Sequence, residues 1–190
     1  MTWHLKTDDA LKGKLFIAGF LKRTAMVCMA VSMLCGMRPP EPMDEYQVKA
    51  MFVINFIKYV DWPGNETGPV RIGVAGNSDI YQQLVEIAEY KKNSLRPIEI
   101  TRVNPGAPEK CQILFVARSE AKRMQEMAKE YAGKGVLLVS EDNTSTVRQA
   151  GINLLRVDNK IKFEINQAAI RKSGLHLSGQ LQLLASSLNP

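Results

Sequence analysis

VRIGVAGNSDIYQQLVEIAEY, residues 70–90, decides the fold. Its first six residues read as a strand, the glycine-containing GNSD as a turn, and residues 80–90 as an amphipathic helix. The same alternation continues outward. Residues 97–103, 113–116 and 136–139 are short β-rich runs, and residues 120–131 form a second amphipathic stretch among them. Strand-like and helix-like runs in alternation predict a largely parallel sheet with helices on both faces, because parallel neighbours need a crossover and the crossover helix must cover a face.

The last third changes character. INLLRV (152–157) and KIKFEI (160–165) flank Asp158-Asn159, which predicts an antiparallel hairpin with a two-residue turn, although that turn lacks glycine. Asn166 can cap a helix over residues 167–172 and Gly174 can close it. Leucines 181, 183, 184 and 188 predict a short packed helix within residues 175–188. The fold class expected is therefore α/β: a three-layer sandwich with a largely parallel sheet, helices on both faces and a C-terminal antiparallel hairpin.

Upstream, YQVKAMFVINFIKYVDW (46–62) contains no Gly or Pro before the stop at Pro63-Gly64 and reads as a helix of about four turns. Its apolar residues cover more than one core-facing stripe. Such a helix is either covered on two sides by its own domain or carries a face for another chain, a homodimer or a partner. Phe52, Phe56 and Tyr59 share helical spacing, and with Trp62 they are the candidate partner contacts.

At the amino terminus, TAMVCMAVSMLCG (24–36) is apolar and uncharged, follows Lys22-Arg23 and runs into Met37-Arg38-Pro39-Pro40. That is the layout of an export signal, too short to cross a bilayer, which needs about 20 apolar residues. The expected organisation is an export signal over 1–36, a linker over 37–45 and an α/β domain over 46–190. An uncleaved anchor and a lipid anchor at Cys35 are the alternatives. Cleavage near Gly36 leaves Cys111 as the sole cysteine, expected as a buried small hydrophobe beside the run QILFVA.

The formal charge is +6, but the first 36 residues hold five Lys or Arg against two Asp or Glu, leaving 20 basic and 17 acidic side chains. That balance does not imply a nucleic-acid partner. His4 and His176 are the only histidines, no nucleophile elbow accompanies them, and there is no CxxC, HExxH or EF-hand loop. We therefore expect no enzyme, no cofactor and no metal. The turn Gly76-Asn77-Ser78-Asp79 follows a strand and opens a helix, where backbone N–H groups can hold an anion. Ser78 or Asp79 acting as helix N-cap explains it equally, so these four residues are a candidate pocket rim at the carboxyl edge of a doubly wound sheet.

Two segments resemble one bacterial family: Tyr46-Gln47-Val48-Lys49-Ala50 through Phe52, Asn55-Phe56, Lys58 and Trp62-Pro63, then Ile161 to Asn166 with Ala168-Ala169 and Gly174-Leu175. Ile72-Gly73-Val74 and Cys111-Gln112-Ile113-Leu114-Phe115-Val116 fall between them where that family has inner strands. In order and spacing the set resembles the YfiR-like family of exported proteins. The resemblance implies a periplasmic regulator that binds the sensor region of a membrane-bound signalling protein, a diguanylate cyclase or a sensor kinase, and holds it inactive, so that cyclic di-GMP is controlled from outside the membrane. The best-known members carry more cysteines than this chain, so control by internal disulfides is not implied. Glu164, on the charged face of an alternating strand, is a further candidate partner contact, its other reading being a solvated sheet face. The alternative to a regulator is an exported small-molecule sensor with its pocket near residues 76–79.

Overall fold

The strand at the centre of this reading, β2 (Val70–Ala75), is buried at every position but Arg71, as a strand covered on both faces must be. The computed structural model describes residues 43–64, 68–92, 96–104, 110–141 and 149–189; the expected export signal and all but the last residues of the expected linker lie outside them. The described elements are α1 (Glu45–Phe56), β1 (Val60–Asp61), β2, α2 (Ile80–Tyr90), β3 (Ile98–Val103), β4 (Ile113–Val116), a 3-10 helix (Arg118–Arg123), α3 (Met124–Glu130), β5 (Leu137–Ser140), β6 (Ile152–Val157), β7 (Lys160–Asn166), α4 (Gln167–Lys172), β8 (His176–Leu177), α5 (Gly179–Leu184) and β9 (Ser187–Asn189).

Seven strands form one sheet in the order β3-β2-β4-β5-β6-β7-β9, and β1 and β8 form a separate antiparallel pair. All neighbours in the large sheet are parallel except β6 and β7. The chain winds from β2 out to β3, then crosses back to β4 and on to β5, so its direction of winding reverses between β2 and β4. Alternation along the strands divides the core in two. Ile72, Val74, Ile113, Phe115, Val139, Ile152 and Phe163 pack with α1 and α2. Ala75, Leu114, Val116 and Leu138 pack with Met124 and Met127 of α3. The result is the three-layer sandwich expected.

The hairpin forms around Asp158 and Asn159, whose φ values of 49° and 59° are those of a type I′ turn. Asp and Asn tolerate this left-handed region better than other non-glycine residues, which is why the turn works without glycine. Asn166 caps α4 by accepting the Ala169 N–H at 3.0 Å.

Three expectations are corrected. The helix expected over residues 46–62 stops at Phe56, because Val60 and Asp61 leave it to pair with Leu177 and His176. The helix expected within residues 175–188 is instead β8, the short α5 and β9, since the backbone there finds partners in β1 and β7. The amphipathic stretch 120–131 begins as a 3-10 turn and becomes α-helical only from Met124.

Candidate functional site

Lys49 is the anomaly of α1. A lysine amid apolar neighbours is expected to reach water, yet its side chain is 2 % exposed and that of its partner Glu141 is 3 % exposed. Lys49 Nζ lies 2.7 Å from Glu141 Oε2 and 2.7 Å from Glu45 Oε1, one turn back on the same helix. It also stands 4.7 Å over the Tyr46 ring. Glu45 is shared with Arg156 of β6 at 3.1 Å.

Glu141 directly follows β5, so it sits at the carboxyl edge of the parallel strands. Its Oε1 accepts from the Ser78 hydroxyl at 3.3 Å and from the Arg118 backbone N–H at 3.4 Å. The Arg118 guanidinium donates to the Glu141 carbonyl, also at 3.4 Å. Ser78 follows β2 and Arg118 follows β4, so one carboxylate gathers the turns on both sides of the winding reversal and ties them to α1. Next to it, the Ser140 hydroxyl donates to Asn153 Oδ1 at 2.8 Å, joining β5 to β6.

Electrostatically the network is closed on itself. Burial alone pulls the Lys49 ammonium down, but its hydrogen bonds to Glu141 and Glu45 outweigh burial and leave its pKa raised. The hydrogen bond from Lys49, with Arg156 adding to it, holds the Glu45 carboxyl below its ordinary value against the cost of desolvation. An ammonium gripped by two carboxylates stays protonated at neutral pH and supplies neither a base nor a nucleophile. The arrangement is a clasp.

Gly76 to Asp79 lie where expected, at the carboxyl edge. Gly76 has φ +87°, and a Cβ there would come within 2.5 Å of Ser119 Oγ and 2.7 Å of Glu120 Cγ. Asn77 N–H donates to Ser119 Oγ at 3.1 Å. The turn after β2 is thus packed directly against the turn after β4. Ser78 Oγ accepts the Ile80 N–H at 3.4 Å, so Ser78 is both a helix-start partner and a clasp ligand.

Of the candidate partner contacts, Phe56 is 1 % exposed and belongs to the core. Phe52 and Phe56 both pack on Phe163 of β7, with ring centroids 5.6 and 5.5 Å away. Phe52, Tyr59 and Trp62 are half-buried against the same core, and Glu164 is half-buried on β7, opposite Asn153 and Ser187. The outward stripe of α1 is Gln47, Met51 and Asn55, of which only Met51 is apolar. Larger accessible apolar side chains stand at the other end of the chain: Leu183 is 89 % and Leu184 62 % exposed, next to the edge strand β9 with its exposed Leu188. Cys111 is buried in the α3-side core. His176 is exposed on the β1–β8 ribbon. Among the described residues no group of three or more His, Cys, Asp or Glu is placed to hold a metal ion.

Sequence reasoning missed the clasp. One local signal was available, the i,i+4 pair Glu45 and Lys49. Glu141, 92 positions from Lys49, carried none.

A doubly wound sheet whose turns after β2 and β4 are tied together by Glu141, with α1 clasped to them through Lys49, defines this α/β domain. Residues 46–186 match the family described as YfiR/HmsC-like, and the chain belongs to that family. No helix among the described residues is long and apolar enough to cross a membrane.

Proposed function

We propose that this chain is a periplasmic regulatory binding protein that holds the sensor region of a membrane-bound signalling enzyme, a diguanylate cyclase, in its inactive state. The observation that carries this reading is the family match across residues 46–186, which runs from the second residue of α1 past the end of α5. Two features of the surface support it. At the carboxyl edge, where α/β sheets usually take small ligands, Ser119 and Glu120 stand directly against Gly76. Exposed Leu183 and Leu184 precede β9, which carries the exposed Leu188 and is an edge strand among the described residues, and exposed apolar residues at a sheet edge suit a protein partner. On this reading the half-buried Phe52, Tyr59, Trp62 and Glu164 are secondary contacts, to the partner or to a second copy of the chain.

Capture of the cyclase sensor region by the purified protein tests the proposal. Retention by the wild type and its loss in a folded Leu183→Asp/Leu184→Asp variant are expected. Failure of the wild type to retain any sensor region from envelope extracts refutes it.

A further inference from the structure

The amino edge of the sheet, opposite the clasp, carries a cleft of about 600 Å³. Trp62, Pro63 and Tyr131 contribute its larger apolar side chains, and among the described residues its charged lining consists of Arg71, Lys110 and Lys134, with no carboxylate. Three cations and no acid among these lining residues is a strong bias in a chain that holds 20 basic and 17 acidic side chains beyond residue 36. Arg71 keeps its Nε on Glu99 at 3.0 Å. Lys134 lies over the Tyr131 ring at 5.6 Å, and neither it nor Lys110 forms an ion pair among the described residues.

The walls of this cleft are fixed by backbone and buried contacts. Gly133 and Gly135 N–H donate to the Lys172 and Ser173 carbonyls, both at 3.0 Å, pinning the loop that carries Lys134. Gly135 has φ +66°, and a Cβ on it would stand 2.5 Å from Pro63 Cγ, so glycine is what lets the loop meet the Trp62-Pro63 segment. Arg71 N–H donates to Gln112 Oε1 at 2.7 Å, and Leu137 N–H to the Gln112 carbonyl at 2.8 Å, holding the starts of β2, β4 and β5 in register. Concave walls of low dielectric concentrate the field of the cations at their mouth, and a site set in advance does not spend binding energy on ordering itself.

We propose that this cleft binds a small aromatic anion, a carboxylate or phosphate attached to a flat ring, with Lys110 and Lys134 holding the anionic group and Trp62 the ring. The inference stands apart from the partner proposal, since occupancy is measured with no partner present. The full chain carrying Trp3→Phe leaves Trp62 as its only indole. Titrating it with phenyl phosphate and with benzoate is expected to give a saturable change in indole fluorescence below ~5 mM for at least one of them. Lys110→Gln/Lys134→Gln, with an unchanged circular dichroism spectrum, is expected to weaken that binding by about tenfold or more, and added salt to weaken it further. No saturable change with either compound, equal affinity in the double-lysine variant, or inorganic phosphate binding as tightly as phenyl phosphate would each overturn the proposal.

Discussion

Removing the Lys49 ammonium would leave the Glu141 carboxylate buried with, among the described residues, the Ser78 hydroxyl and the Arg118 N–H as donors to its oxygens. Lys49→Ala is therefore expected to cost about 3–5 kcal/mol, the range for orphaning one member of a buried pair. Lys49→Met/Glu141→Leu should recover most of that loss, because two apolar side chains need no charge partner. Denaturant midpoints of the wild type, Lys49→Met, Glu141→Leu and their double variant give the coupling energy, and additive effects of the two single changes would dissociate the pair. The same groups set a pH dependence. The Glu45 carboxyl is depressed in the folded state, so its contribution is present above its ordinary value of 4.5 and disappears as pH falls through the lower folded value. The Lys49 pKa is raised, so its contribution is present up to its ordinary value of 10.5 and disappears as pH rises through the higher folded value. Unfolding free energy should thus be flat between these limits as far as Glu45 and Lys49 are concerned, and Glu45→Gln should flatten the acid limb in urea titrations. Little of this is legible in sequence. Lys49 reads as a polar interruption of an apolar helix, and only the folded sheet brings Glu141 to it. The turn at Gly76–Asp79, by contrast, is legible as a strand-to-helix junction because glycine and two capping residues stand in four positions.

The elements differ in how much of them local sequence determines. α2, β2, β4 and the β6–β7 hairpin follow directly from periodicity and turn residues, since their partners are near in sequence or their faces are uniformly buried. The end of α1 does not, because Val60 and Asp61 become a strand only by meeting His176 and Leu177, more than a hundred positions away. The same long-range pairing splits residues 175–188 into two strands and one helical turn and a half, leaving Leu183 and Leu184 in solvent. For α1, the burial of Phe56 against Phe163 predicts that Phe56→Ala costs about 3–5 kcal/mol. Met51→Asp, on the outward stripe, should leave the melting temperature nearly unchanged. Thermal unfolding of both variants checks this, and a folded, stable Phe56→Ala protein would mean that the aromatic cluster does not hold α1 in place.

At the scale of the whole molecule, two edges of one sheet have opposite characters: the carboxyl edge carries the buried Lys49–Glu141 ion network, and the amino edge opens into a cleft whose described lining is cationic. On the proposed function the domain works outside the cytoplasm, so amino-terminal sequencing of periplasmic material should find the chain starting close to Met37; recovery of the full chain in a salt-resistant membrane fraction would contradict that. The regulatory role itself is tested most directly by cyclic di-GMP in cells that lack this chain, compared with cells in which it is restored as wild type or as Leu183→Asp/Leu184→Asp. A rise on deletion, a return to the starting level with the wild type and no return with the variant are expected. Cyclic di-GMP that stays the same whether the chain is present or absent would contradict it.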